Sequence, residues 1–353
     1  MNDKTGKAQK NVKGKPAKRP AAKAKATTTR PPKPRAASRP RGAVRDAEAQ
    51  WSRATKLDPS LFQHPEDAAA REKLEAVPGF KLLARKVLEF GYESLYHGLF
   101  MGNYIRLSPR QLPEIYNLLP PICDAFGIAE PEFYLQMDPD PQAFTMGDTR
   151  IFVVMTSGLL DLMKDQAERQ AVLAHECGHI VCRHVLYTSM ATLIAQLGMA
   201  FFGVLRPLAT PIQIALNYWS RRSELSADRA AAVFSGSTEP MIRGLLRIAG
   251  GPSDITADVN VEEFAAQARA YDELQENSDW HKILQSWAVM NKNHPFNAVR
   301  VRELIAWGRD DAFADACRAI AKPDASGSPA CPSCGKPHSP GQKFCRHCGT
   351  KLV

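Results

Sequence analysis

His175 and His179 stand four residues apart, with Glu176 directly after the first. On a helix that spacing puts both imidazoles on one face, one turn apart, where a rigid backbone aims them at a common point. Two imidazoles so placed can grip a metal ion, and the carboxylate of Glu176 projects beside it, within reach of a proton on a bound water. The same string arises by chance on solvated helices. Here Val172, Leu173, Ile180 and Val181 flank it, so both histidines are expected to be buried, and buried polar groups need partners. Zinc is the ion this pattern favours. The helix is written locally: Asp165 with Glu168 three residues on makes a capping box, and Ala167, Ala171, Ala174 and Val181 supply apolar positions.

Two histidines leave the site incomplete. A third one in the same run would require a glycine at position 182 and a histidine at 185, but the chain has Cys182 and Val185. His184 falls about half a turn away from the face of His175 at roughly 3.6 residues per turn. Cys182 lies on the ligand face but reads more simply as a small buried side chain. Downstream, Glu224 and Asp228 are again four apart, hence on one face of a second helix. Glu224 could complete a His, His, Glu set with the fourth position left to water. Asp228, one turn on, is placed to hydrogen-bond a ligand imidazole. For these two acids alone, an exposed face pairing with Arg221, Arg222 and Arg229 would be the better reading; beside His175 and His179 it is not.

In this order the two motifs resemble those of the HtpX-type branch of the gluzincin zinc metallopeptidases, a group that includes the CAAX prenyl proteases. Other segments agree. Gln142 to Gly147 is similar to the family's Asn-Ala-Phe-x-x-Gly edge strand, with glutamine in place of the usual asparagine. Val154 to Leu160 is similar to the segment before the active-site helix, and His294-Pro295 with Arg300 to a His-Pro…Arg element. The resemblance covers the chain from about residue 64 to about residue 305. It implies a peptide substrate laid along Ala143, Phe144 and Thr145 by strand addition. It also implies that His294 or Arg300 approaches the site and steadies the oxyanion. For His294 the alternative, a loop histidine capping a helix, stays open.

These residues need a scaffold, and the chain supplies mostly helices. From Asp58 to about Asn103 the pattern is helical: Pro65, Glu66 and Asp67 mark a start and Pro78-Gly79 a break. Beyond it Leu82, Leu83, Val87, Phe90, Leu95, Leu99 and Phe100 form an apolar stripe expected to pack on the peptidase domain. Ser108 to Phe126 reads as a helix broken at Pro120-Pro121. Glu132 to Met137 alternates with period two, Arg150 to Met155 is a short apolar run fit for a buried strand, and Gln142 to Met146 can be an edge strand. Helices are expected again at 239–249, 261–274, 283–290 and 297–321. The expected fold is thus α+β, mostly α-helical, a zincin-like metallopeptidase domain with a small sheet.

Val185 to Leu205 carries no charge and raises a membrane question. His179 and Glu224 must meet at one ion, so the connection crosses a bilayer an even number of times or not at all. Two crossings need about 40 residues, more than the connection offers. A helical hairpin bent at Arg206 and Pro211, packed on the core or dipping into one leaflet, fits better, with an integral arrangement of 185–219 as the alternative.

Residues 1–45 hold fifteen Lys or Arg against Asp3 alone, so the net charge of +9 belongs to this tail and the rest is acidic. With almost nothing apolar to bury, the tail is expected to be disordered. It suits an anionic membrane surface or nucleic acid through counterion release, or a merely solubilising role. It has no apolar core of a secretory signal, which points to a cytoplasmic rather than a secreted protein. At the other end, 322–330 is a linker to Cys331, Cys334, Cys345 and Cys348, two Cys-x-x-Cys-Gly knuckles ten residues apart. That spacing reads as a zinc ribbon, a closed structural site that supplies the folding energy of so small a module. Its partner is not written in it.

The expected organisation is a basic tail (1–45), a helical segment packed on the peptidase domain (46–106), the peptidase domain (107–321), the linker and the ribbon (331–353). The expected activity is that of a zinc metalloendopeptidase, one zinc catalytic and one structural, acting on protein or peptide substrates in protein quality control with Glu176 as general base. The rival is a catalytically silent zinc-ribbon adaptor or chaperone-like protein that docks on nucleic acid, membrane or protein.

Overall fold

The computed structural model describes residues 57–80, 82–84, 91–197, 206–276 and 296–321, with 331, 345 and 350–352. The tail, the linker, the helix expected at 283–290, His294, Cys334 and Cys348 lie outside the described residues, as do Val87 and Phe90.

Helix α1 (Pro65–Glu75) begins where the sequence marks it, with the His64 ring accepting the Glu66 amide and Pro65 in the first turn, where a missing N–H is no loss. Helix α2 (Tyr92–Asn103) departs from the expected stripe. Its inward row is Tyr92, Tyr96 and Phe100, an aromatic ladder at fourfold spacing. Leu95 and Leu99 are left 52% and 46% exposed, and only Leu83 of the upstream leucines is buried. Aromatic rings bury more area per residue than leucine, so they take the inner face.

Strands β1 (Ile105–Arg106), β2 (Glu132–Gln136), β3 (Ala143–Met146) and β4 (Phe152–Thr156) form one sheet in the order β1-β2-β4-β3. β2 and β4 run parallel, the other pairs antiparallel. β4 is buried throughout, as its apolar run demands, and β3 occupies an outer edge.

Between β1 and β2 the expected long helix is not formed. Leu112 adopts a left-handed φ of 54°, a single turn follows at Pro113–Tyr116, and a new helix α3 (Leu119–Phe126) starts at the proline pair. Pro120 and Pro121 sit in its first turn, where no donor is needed, so they open a helix rather than break one.

Beyond the sheet come α4 (Ser157–Leu162), α5 (Gln166–Val181), α6 (Val185–Leu197), α7 (Arg206–Ser235), α8 (Glu239–Gly250), α9 (Val261–Glu276), α10 (Asn297–Gly308) and α11 (Asp311–Ala321). The single helix expected over 297–321 is two, because the Asp310 carboxylate accepts the Ala312 amide and starts a new one. Pro211 lies inside α7 rather than ending a helix. An internal proline costs about 3 kcal/mol; the full burial of Ile212, Leu216 and Trp219 just beyond it offsets that. No helix among the described residues is long and apolar enough to cross a membrane.

One apolar cluster joins α3, α5, α8, α10 and the second half of α7. Another joins α1, α2, the sheet, α6 and the first half of α7. Helices α5 and α7 cross at Gly178, where an added Cβ would come 2.8 Å from the Ala230 Cβ and 3.1 Å from the Ala227 Cα. Glycine facing alanines lets these two backbones approach. That closeness sets the site.

Candidate metal centre and active site

Helix α5 opens with the Asp165 carboxylate accepting the Ala167 amide at 2.7 Å. The capping box is only half formed: Glu168 turns to the buried Arg247 of α8, which donates to it at 3.0 Å. An ion pair in the core outcompetes a reach back to the cap.

The face of α5 that carries His175 and His179 meets α7 at Glu224. His175 Nε2 lies 3.2 Å from His179 Nε2 and 3.3 Å from Glu224 Oε2, and His179 Nε2 lies 3.4 Å from Glu224 Oε1. Each carboxylate oxygen of Glu224 thus faces one imidazole, and one donor atom from each of the three side chains lies within 4.8 Å of the others. Among the described residues this is the one group of three His, Cys, Asp or Glu side chains close enough to share an ion. All three are buried. Two imidazoles and a carboxylate, with one position open, are a catalytic zinc donor set.

Each imidazole is held from behind. His175 Nδ1 is 2.9 Å from Asp228 Oδ1. Arg300 in turn donates to Asp228 from Nε at 2.8 Å and from Nη2 at 2.6 Å. Burial raises the Asp228 pKa, but the charge and hydrogen bonds of Arg300 outweigh it and hold the carboxyl below its usual value. His179 Nδ1 is 3.0 Å from His184 Nδ1, and His184 Nε2 is 3.0 Å from Asp67 Oδ2 on α1.

Glu176 is buried beside the imidazoles, and on β3 the Thr145 hydroxyl donates to its Oε2 at 2.8 Å. The strand expected to take substrate therefore also touches the expected base. Ala143 and Phe144 lie on the same edge strand, both half-buried.

Arg300 is 5% exposed and spends its guanidinium on Asp228, with Nη1 3.6 Å from Glu224. Cys331 and Cys345 are buried together with Leu352, and no disulfide joins the described cysteines.

Two residues close to the site escaped the sequence reading. Extending α5 as a regular helix puts His184 on the wrong side, but α5 stops at Val181 and Arg183 turns left-handed at a φ of 59°. The reversal brings His184 back, its amide donating to the His179 carbonyl at 2.8 Å. A non-glycine residue at positive φ is the structural sign of such a turn, and no local sequence signal announces it. Asp67 read only as a helix-start acid.

Comparison with known proteins agrees with this geometry. Residues 109–308 match the model of peptidase family M48, and residues 331–352 match a zinc-ribbon domain. The chloroplastic plastoglobule-localized metallopeptidase 48 of Arabidopsis thaliana is 29% identical over 72% of this chain and 74% of its own length. A protease HtpX homolog of Ralstonia nicotianae is 28% identical over 42% of this chain, and the match spans 60% of that relative's length. The crystal structure of Ste24p from S. mikatae superimposes with a TM-score of 0.38 at 16% identity, covering 71% of this chain and 67% of that one. The chain belongs to peptidase family M48: it is a zinc metallopeptidase with a zinc-ribbon domain at its C-terminal end.

Proposed function

We propose that this peptidase cuts internal bonds of unfolded polypeptides in protein quality control, with His175, His179 and Glu224 holding the catalytic zinc and Glu176 as general base. The convergence of these three side chains carries the reading, with Glu176 next to His175 in sequence and buried like it. Zinc, when bound, supplies Lewis acidity to water and to the scissile carbonyl. Glu176 accepts a proton from the attacking water and delivers it to the leaving amine. Thr145 keeps that carboxylate turned into the site through its hydroxyl hydrogen bond. Asp228 and Arg300 fix the ring of His175, so that Nε2 faces the ion.

The outer strand β3 supports the choice of substrate. Among the described residues no strand pairs with its outer edge, whose backbone donors and acceptors can take an extended peptide as a further strand. Such pairing reads main chain more than side chains, which suits unfolded protein of many sequences. His294, which lies outside the described residues, is kept as a candidate oxyanion group.

A second zinc in the ribbon follows from the four-cysteine spacing, giving two per chain. Reduced ribbon thiols suit the cytoplasm, where we place the protein, and the basic tail is left to an anionic membrane surface or nucleic acid. The domain boundaries at 45, 106, 321 and 330 stand with this reading. Digestion of reduced, unfolded casein, with the fragments identified by mass, tests it. Internal cuts that stop on chelation are expected; trimming from the ends alone, or no cleavage in the presence of zinc, would overturn it.

A further inference from the structure

His179 has a support that the family match does not cover. Its Nδ1 faces His184 Nδ1 at 3.0 Å, and His184 Nε2 faces Asp67 Oδ2 at 3.0 Å. Asp67 lies on α1, upstream of the matched residues 109–308. Its carboxylate also accepts from the Trp219 indole N–H at 3.0 Å, the Ser226 hydroxyl at 2.7 Å and the Gln63 amide at 2.9 Å. Four donors therefore converge on two carboxylate oxygens, which is about the full acceptor capacity of the group.

With both imidazoles neutral, the direction of every hydrogen bond in this chain follows from that carboxylate. An ionised carboxylate only accepts, so His184 carries its proton on Nε2 and presents a bare Nδ1 to its neighbour. That bare nitrogen can only accept, so His179 carries its proton on Nδ1. The remaining nitrogen of His179, Nε2, is the atom that faces His175 and Glu224, and it is left with a free lone pair.

The backbone is bent to make this happen. Arg183 takes the left-handed φ of 59° that brings His184 back onto His179, a conformation unfavourable for a non-glycine residue. His184 and Asp67 are both fully buried, and Trp219 closes over the His184 ring at 5.4 Å. On α7, Trp219 and Ser226 are two turns apart and hold Asp67, while Glu224 and Asp228 take the other face to the metal centre.

We infer that His184 and Asp67 are positioning residues for the metal centre: through them α1 sets the tautomer and orientation of His179 that zinc requires. His175 is held by a carboxylate directly, and His179 through one intervening imidazole. The inference rests on the zinc-binding role of His175, His179 and Glu224 given above.

The test is zinc affinity of the full chain, measured by competition with graded chelators and metal analysis. A Glu224→Ala control defines the zinc that the ribbon alone retains. Removing supporting partners of this kind typically weakens metal binding about 10–100-fold. His184→Leu and Asp67→Asn should each do so, and the double variant should be little worse than His184→Leu. His184→Gln, whose amide can both accept from His179 and donate to Asp67, should recover much of the loss. If His184→Leu does not fold, the near-isosteric Asp67→Asn gives the same reading. A merely structural role would lower the melting temperature of the metal-free protein and leave zinc affinity within twofold of wild type; that result would overturn the inference. If Glu224→Ala retains as much zinc as wild type, the metal centre itself is refuted, which is a separate outcome.

Discussion

Asp228 stands one helical turn beyond Glu224 on α7, and its Oδ1 lies 2.9 Å from Nδ1 of His175. One helix thus carries both a candidate group for the ion and a carboxylate hydrogen-bonded to another helix's imidazole. Asp228→Asn should weaken zinc binding about 10–100-fold while the fold persists, as read by chelator competition. Arg300→Met should instead act on stability. It strands the buried carboxylate of Asp228, and breaking a buried pair typically costs about 3–5 kcal/mol, measurable by urea unfolding.

Zinc uptake should be pH-dependent. Before metal binds, burial pulls the His175 pKa down, but the hydrogen bonds and charges of Asp228 and Glu224 outweigh it and raise it to about 10. The unfolded imidazole titrates near ~6.5. The charged ring therefore contributes stability to the metal-free fold that is fully present below about pH 6.5 and is lost as pH rises through 10. Zinc needs Nε2 without its proton, so binding at neutral pH should release one proton here and tighten as pH rises. Calorimetry in buffers of different ionisation enthalpy reads this as a difference between wild type and Glu224→Ala. An identical proton count for both would contradict it.

Glu176→Gln should keep both zincs and lower peptide cleavage by about 10²–10⁴-fold, the range expected for loss of a general base. Thr145→Val removes only the hydroxyl that donates to Glu176 Oε2 and should lower kcat by a smaller factor. Wild-type turnover by Glu176→Gln would remove Glu176 from the chemistry.

Gly178→Ala probes the crossing of α5 and α7. Its new methyl would meet the Ala230 Cβ at 2.8 Å, and overpacking of this kind typically costs about 1–3 kcal/mol. Since the same crossing sets the distance from the imidazoles to Glu224, zinc affinity should fall with the melting temperature. An unchanged affinity would mean that the helices yield without moving the site.

The pairing of the candidate metal-binding residues was legible because fourfold spacing is a property of the helix itself: His175 with His179, and Glu224 with Asp228, declare shared faces before any tertiary contact exists. Strand β2 was legible from its alternation at period two, and the buried strand β4 from its short apolar run. What failed were places where tertiary partners override local rules. Glu168 leaves its capping box for Arg247, the Pro120-Pro121 pair starts a helix because α3 has its first turn there, and the aromatic row of α2 displaces the leucines from the core. His184 was misplaced because a helix was continued past Val181, and the left-handed turn at Arg183 has no signature in residue type. The link from Asp67 to the site could not be found from local sequence, since His184, Trp219 and Ser226 lie more than a hundred residues away.

Zinc content and casein cleavage of the full chain, of Glu224→Ala, and of the chain without residues 322–353 test the account most directly. It predicts two zincs and chelator-sensitive cleavage for the first, one zinc and no cleavage for the second, and one zinc for the third, with metal retained at the catalytic centre. Cleavage by Glu224→Ala at the wild-type rate, or an unchanged zinc count in it, would contradict the assignment of Glu224, His175 and His179 as the site of peptide hydrolysis.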